Sequence, residues 1–211
     1  MKPIDMLTPP IKAIHEASHA VGVLHTGCNL QSIEIVKATD SPLATGGSNR
    51  SVGRTCWRSA PLGAERNWDA ELKVAFAGPV AEAKLALENT VQLFDSDYMY
   101  LCQAIDGLFG SGTSARHTEH VDSLVPYDEW TRCNDSSCKA CPCLDATLYI
   151  VNHEIVTPCW NVINKIARKL ARVRYMEGWE VAAIYDEAAA KGEVPVRPPT
   201  IPQLLKMPKI T

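Results

Sequence analysis

Several kinds of segment are missing from this sequence. No apolar run approaches the roughly 20 residues that a membrane-spanning helix needs. The N-terminus, MKPIDMLTPP, has neither the apolar core nor the small-residue cleavage pattern of a signal peptide. These absences predict a soluble, cytoplasmic chain with no membrane partner. The formal net charge of -3 gives no electrostatic reason to expect a nucleic-acid partner either.

A nucleotide-binding P-loop, G-x-x-x-x-G-K-[ST], is also missing. The sequence therefore predicts no ATPase module of its own. Any step driven by ATP would need a separate ATPase partner.

Cysteine is plentiful, with eight residues. Because no export signal is present, free thiols or metal ligands are expected rather than disulfides. Four cysteines crowd into CNDSSCKACPC: Cys133, Cys138, Cys141 and Cys143. Their number and softness suit a tetrathiolate zinc site, but the spacing is tighter than the usual pair of C-x-x-C knuckles. A second, structural zinc and a surface loop of free thiols are both open interpretations.

Two histidines, His117 and His120, flank the cysteine cluster. They could join a mixed Cys/His site, reach an active-site metal, or be solvated without a special role. The sequence does not choose between these.

The apolar pattern predicts an α+β, mainly α-helical chain with one small β-sheet. The first half is expected to hold a helix from Pro9-Pro10 to Gly27, strands in LQSIEIVKA and Val52 to Trp57, a helix over 67–87 that Gly78-Pro79 breaks or kinks, and a helix from near Ser96 to Phe109. The second half is expected to hold a helical region from about Leu144 to Met176, interrupted by Pro158 and ended by Gly178, and a last helix from Glu180 to Lys191. Residues 1–195 are expected to form a single domain with a Cys-rich insertion at about 110–143. Residues 196–211 are expected to form a proline-rich tail.

The segment IHEASHAV, from Ile14 to Val21, carries two histidines four residues apart. On a helix this spacing puts His15 and His19 on one face, where both imidazoles can reach a single Zn²⁺. Glu16 directly follows the first histidine. It could take a proton from a water that attacks a carbonyl and pass that proton to the leaving amine. This pattern is typical of zinc peptidases.

The alternative is that three polar residues occur on a helix face by chance. Ala17, Ala20 and Val21 count against it, since they indicate a helix that is otherwise small and apolar enough to be buried. Two histidines and a glutamate on a buried helix would be costly without a partner such as a metal.

The heptapeptide His15 to Val21 resembles the H-E-A-G-H-A-V signature of the FtsH-type peptidases, the M41 metallopeptidases, with Ser18 in place of glycine. Further segments match in the same order. Ser32 to Val36 looks like the edge strand that follows that family's active-site helix. Ala77 to Glu82 is similar to its G-G-R-A-A-E helix, with Pro79 where arginine is common, and Trp160 to Ile184 resembles its closing helices. The resemblance runs from about Ile11 to Tyr185.

This resemblance implies a zincin-like peptidase domain that lacks the family's ATPase module. It also implies a third zinc ligand, an aspartate at the start of a downstream helix, and Asp97 is the residue that fits. Asp97 could instead complement the helix dipole. Glu82 and Glu154 are competing ligands, because related zincin classes use a glutamate.

The function expected from the sequence is therefore a zinc-dependent metallopeptidase acting on peptides or unfolded protein, without its own ATPase. Two alternatives are a catalytically silent metal-binding or interaction module of the same fold, and a zinc amidase acting on a non-peptide amide. The oligomeric state is not predicted.

Overall fold

The computed structural model describes residues 10–37, 51–59, 65–86, 95–111 and 140–198 of the 211-residue chain. In chain order, these residues form α1 (Ile11–His25), β1 (Asn29–Lys37), β2 (Ser51–Arg58), α2 (Trp68–Ala86), α3 (Asp95–Phe109), α4 (Ala140–Ile150), a π-helix (Val151–Val156), α5 (Trp160–Val173), β3 (Tyr175–Glu177) and α6 (Gly178–Ala190). They confirm an α+β, mainly helical chain with one small sheet. Within them, no helix combines the length and the apolarity needed to cross a membrane.

Helix α1 lies at the centre of the described structure. Every residue from Ala13 to Leu24 is buried, and the helix contacts α2, α5, β1 and β2. It begins after Pro10, whose backbone is extended, and ends at Thr26, whose hydroxyl donates to the Gly22 carbonyl at 2.9 Å. Gly27 follows with a φ of 73°, so the predicted glycine stop is confirmed.

The sheet is antiparallel, with strand order β2-β1-β3. Its inner face carries the buried Ile33, Ile35 and Met176, and its outer face carries an ion pair between Glu34 and Arg54. The expectation that Ser32 to Val36 is an edge strand is wrong, because β1 has a partner on each side. In the described part of the chain, β2 is the long edge strand.

Helix α2 runs without interruption through Gly78 and Pro79, so the predicted break is wrong. Proline normally disfavours helical backbone at the preceding residue, because its Cδ clashes with that residue's amide and Cβ. Gly78 has no Cβ, which relieves part of this clash. Burial of Phe76, Ala77, Val80 and Ala81 then holds both halves of the helix in place.

The predicted long helix ending at Met176 is also wrong in its last part. Arg174 has a φ of 67° and donates its amide to the Leu170 carbonyl at 2.8 Å, which ends α5. The Arg174 carbonyl accepts from the Ile35 amide at 2.8 Å, so the chain enters the sheet as β3. Gly178 begins the last helix rather than ending the one before it.

Four further cysteines lie outside the cluster, at scattered positions of the sequence. Cys28 and Cys159 are buried, while Cys56 and Cys102 are half-buried, and all four are free thiols. Burial raises the pKa of Cys159 to about 11, which keeps the thiol protonated at neutral pH.

At Gly178 the backbone of α6 packs directly against the backbone of β1. A Cβ there would overlap the Leu30 carbonyl oxygen, which is backbone and cannot swing aside. We predict that Gly178→Ala lowers the free energy of unfolding by about 1–3 kcal/mol, although alanine is the better helix former. Ala183→Gly, at an exposed position of α6, is the control for helix propensity alone and is expected to cost about 1 kcal/mol. Urea denaturation of both variants would measure this, and a Gly178→Ala protein as stable as wild type would show that the contact is unimportant.

Candidate metal centre between helices α1 and α2

The two histidines of α1 lie side by side in the interior. His15 and His19 are only 4% and 7% exposed, and their ring centroids are 4.5 Å apart. The two Nε2 atoms lie 2.8 Å from each other. The prediction that the four-residue spacing brings both imidazoles to one point is confirmed.

The opposite nitrogen of each ring faces an acceptor on α2. His19 Nδ1 donates to the Val74 carbonyl at 2.7 Å, and a carbonyl can only accept, so the hydrogen of neutral His19 is on Nδ1. His15 Nδ1 lies 3.0 Å from Glu82 Oε1, a close approach that is not aligned as a hydrogen bond. A lone pair on that nitrogen would repel the carboxylate, which favours the same tautomer in His15. With both ring hydrogens on Nδ1, both Nε2 atoms direct lone pairs towards a common point.

The three residues of α2 that face the histidines are four positions apart: Val74, Gly78 and Glu82. This spacing puts them in one row along the helix. His19 faces the first and His15 the last, so α1 and α2 run antiparallel across the site. Gly22 and Ala77 continue the close contact between the helices, since a Cβ on Gly22 would lie 3.2 Å from the Ala77 Cβ.

Gly78, in the middle of the row, lets both histidine rings pack directly against the backbone of α2. A Cβ on this residue would lie 2.5 Å from His19 Nε2 and 2.7 Å from His15 Nε2. Two imidazole nitrogens with fixed tautomers, each supported by an acceptor behind it, form the donor set and outer shell that Zn²⁺ prefers. These residues fit a zinc ion as two of its ligands.

Glu16 points away from α2 and towards the sheet. The Thr55 hydroxyl of β2 donates to Glu16 Oε2 at 2.6 Å, and a Cβ on Gly53 would overlap the same carboxylate. Glu16 is 5% exposed. The carboxylate therefore packs against β2, while the neighbouring histidines pack against α2.

The other predicted ligands have different outcomes. Asp97 falls in the first turn of α3, a helix that packs against α2, but its side chain lies outside the described residues, so its ligation stays a prediction. Glu82 faces the outer nitrogen of His15 rather than the Nε2 pair, which makes it a supporting residue. Glu154 lines a pocket with His25, at the far end of α1. Among the described side chains, no group of three His, Cys, Asp or Glu residues is arranged to hold a metal.

The cysteine-cluster prediction falls mostly outside the described part of the chain. Cys133, Cys138, His117 and His120 lie outside it, as does the side chain of Cys141. Cys143 is a half-buried free thiol in α4, packed against the hydrophobic core. A second zinc site therefore stays a prediction.

Two contributors were not assigned these roles from sequence: Glu82 as the partner of His15, and Thr55 as the partner of Glu16. The row of residues four apart was visible around Gly78, but pairing it with His15 and His19 requires knowing that α2 runs antiparallel to α1. Thr55 is 39 residues from Glu16 and carries no motif.

Comparisons with known proteins do not add to this geometry: no protein-family model matches the chain, and no curated protein matches it.

We predict that Gly78→Ala abolishes zinc binding and also lowers the free energy of unfolding. The added methyl would lie 2.5 Å from His19 Nε2 and 2.7 Å from His15 Nε2, so both rings would have to shift, and this cost outweighs the better helix propensity of alanine. Gly22→Ala makes the same change on the same helix pair away from the ring nitrogens, and it is expected to keep zinc. Isothermal titration with Zn²⁺ and thermal unfolding of both variants would measure this. Wild-type zinc affinity in Gly78→Ala would show that packing of the rings against Gly78 does not determine metal binding.

We predict that Glu82→Gln weakens zinc binding by about 10- to 100-fold, because a neutral amide supports His15 less well than a carboxylate does. Glu154→Gln is the control at a glutamate that does not contact the histidine pair, and it should leave affinity unchanged. Competition with a chromophoric chelator would measure both. A larger loss in Glu154→Gln than in Glu82→Gln would reverse the two assignments.

Proposed function

We propose that this chain is a zinc-dependent metallopeptidase in which His15 and His19 are metal ligands and Glu16 is the general base. The observation that carries the proposal is the 2.8 Å approach of the two buried Nε2 atoms. With both ring hydrogens on Nδ1, two nitrogens at this distance need a shared proton or a metal ion between or beside them.

Asp97 is proposed as the third protein ligand. Zinc in catalytic sites takes three protein ligands and keeps a further position for water or substrate. The described side chains supply two, and α3 begins at Asp95 and packs against α2, the helix that faces the histidine pair. An aspartate in its first turn is the choice that the FtsH-type resemblance also implies.

Glu16 is the general base in this proposal. Bound Zn²⁺ would supply Lewis acidity, lowering the pKa of a water towards neutrality and polarising a substrate carbonyl. Glu16 would take the proton of the attacking water and deliver it to the amine nitrogen of the leaving peptide. Its position next to His15 in sequence turns it by about 100° around α1, so it faces a different neighbour from the ligands.

The proposed substrate is an extended peptide that pairs with β2, an edge strand of the sheet among the described residues, in the mode by which a strand is added to a sheet. Because Thr55 of this strand contacts Glu16, a chain paired with it would pass beside the base. The other edge of the sheet is less suited. The Glu177 amide of β3 donates to Glu180 Oε2 at 3.0 Å and is therefore already bonded within the chain.

The decisive experiment combines zinc analysis with peptide hydrolysis. Glu16→Gln is expected to keep zinc and to lose hydrolysis of an unfolded protein such as casein by at least about 100-fold. His19→Ala is expected to lose zinc, and Asp97→Asn to weaken it. Elemental analysis of each purified variant provides the matched measurement.

Other results would refute the proposed function or favour one of the alternatives. Unchanged hydrolysis in Glu16→Gln would exclude this mechanism. A wild-type chain that binds no zinc would mean that the histidine pair shares a proton instead. Zinc bound through His19 with no hydrolysis of peptides would favour the silent module, or the amidase if non-peptide amides are cleaved. Zinc that survives in His19→Ala would point to the cysteine cluster.

A further inference from the structure

We infer that Thr55 is a positioning residue that holds the Glu16 carboxylate in its reactive orientation. This inference rests on the proposed function, since it assigns Thr55 a part in the proton transfer by Glu16. It concerns a contact between β2 and α1 that no sequence motif marks.

The Thr55 hydroxyl lies close to two acceptors of the same residue. Its oxygen is 2.6 Å from Glu16 Oε2 and 3.3 Å from the Glu16 main-chain carbonyl. A hydroxyl has one hydrogen to donate, and the shorter distance assigns it to the carboxylate. Hydrogen bonds to ionised acceptors are also the stronger ones.

The second oxygen of the carboxylate meets the same strand two residues earlier. A Cβ on Gly53 would overlap Glu16 Oε1, so the carboxylate fits there only because glycine has no side chain. Residues 53 and 55 lie on the same face of β2, since side chains alternate along a strand. Strand β2 thus contacts both carboxylate oxygens, one through the Thr55 hydroxyl and the other through the backbone of Gly53.

Thr55 is itself held firmly. It pairs with Ile33 of the central strand β1, and Ile33 is fully buried against α1. Threonine is branched at Cβ, which restricts its first side-chain torsion. The hydroxyl is therefore placed by the sheet before any substrate arrives, as a supporting residue must be.

The consequence for the reaction is a fixed orientation of the whole carboxylate. The Thr55 hydrogen bond to Oε2 sets the direction in which the carboxylate can accept the proton of the attacking water. Without the hydroxyl the carboxylate is free to rotate about its terminal torsion, which is broad for glutamate. Misplacing a base in this way is expected to lower kcat by about 10- to 100-fold and to leave substrate binding largely unchanged.

The test compares two substitutions of one residue. Thr55→Val keeps the shape and removes the hydroxyl, while Thr55→Ser keeps the hydroxyl and removes the methyl. We expect Thr55→Val to lose about 10- to 100-fold in kcat with KM and zinc content near wild type, and Thr55→Ser to restore kcat to within a few-fold. Thr147→Val is the control, because that buried threonine donates to the Cys143 carbonyl in α4 and is not part of the site.

A second measurement does not depend on hydrolysis. In protein labelled with ¹³C-glutamate, the side-chain carboxyl resonance of Glu16 can be assigned by its absence in Glu16→Gln. We expect this resonance to move in Thr55→Val and to stay near its wild-type position in Thr55→Ser and Thr147→Val. The comparison applies to the metal-free protein as well as to the zinc-loaded one.

The outcomes separate the two claims. Wild-type kcat in Thr55→Val, an equal loss in Thr55→Ser, or a loss of zinc in Thr55→Val would each overturn the positioning role. A wild-type chain that hydrolyses no peptide would refute the proposed function, and the position of the Glu16 resonance would then decide the Thr55 contact by itself.

Discussion

The antiparallel contact between α1 and α2 is the constraint on which the candidate site depends. One turn of α1 presents His15 and His19, and two turns of α2 present Val74, Gly78 and Glu82 at matching heights. Because both helices repeat every 3.6 residues, the four-residue spacing on each keeps the two rows in register. If one helix rotated or slid against the other, both rings would lose their outer partners together. The small residues Gly22 and Ala77 let the helices approach closely enough for this register.

A second constraint comes from the sheet. Helix α1 lies between α2 and β2, and successive residues on it face different neighbours. His15 and His19 face α2, and Glu16 faces β2. In the proposed function, metal binding, base chemistry and substrate pairing would fall to three elements that meet at one turn of one buried helix. Burial of that turn excludes water from the contacts and strengthens each of them.

The parts of this arrangement that were predictable from sequence are those set by local spacing. The face shared by His15 and His19, the extent of α1 and the strands β1 and β2 all follow from periodicity and from glycine and proline. Contacts between distant segments were not predictable, because they depend on how elements pack. Glu82 was interpreted as a competing ligand, and Thr55 was not singled out. The segment Tyr175 to Glu177 was assigned to a helix. Neither the left-handed backbone at Arg174 nor the pairing of this segment with β1 is indicated by the local sequence.

Gly78 has a consequence for any attempt to make this protein more stable. Glycine in the middle of a helix is less favourable than alanine by roughly 1 kcal/mol, and a buried helical glycine is therefore among the first positions that a stability-directed redesign would change. Here a methyl on that carbon would lie only 2.5 to 2.8 Å from ring atoms of His15 and His19, so the usual gain in stability does not apply. A redesign that scored helix propensity alone would push away the two rings on which the proposed metal site depends.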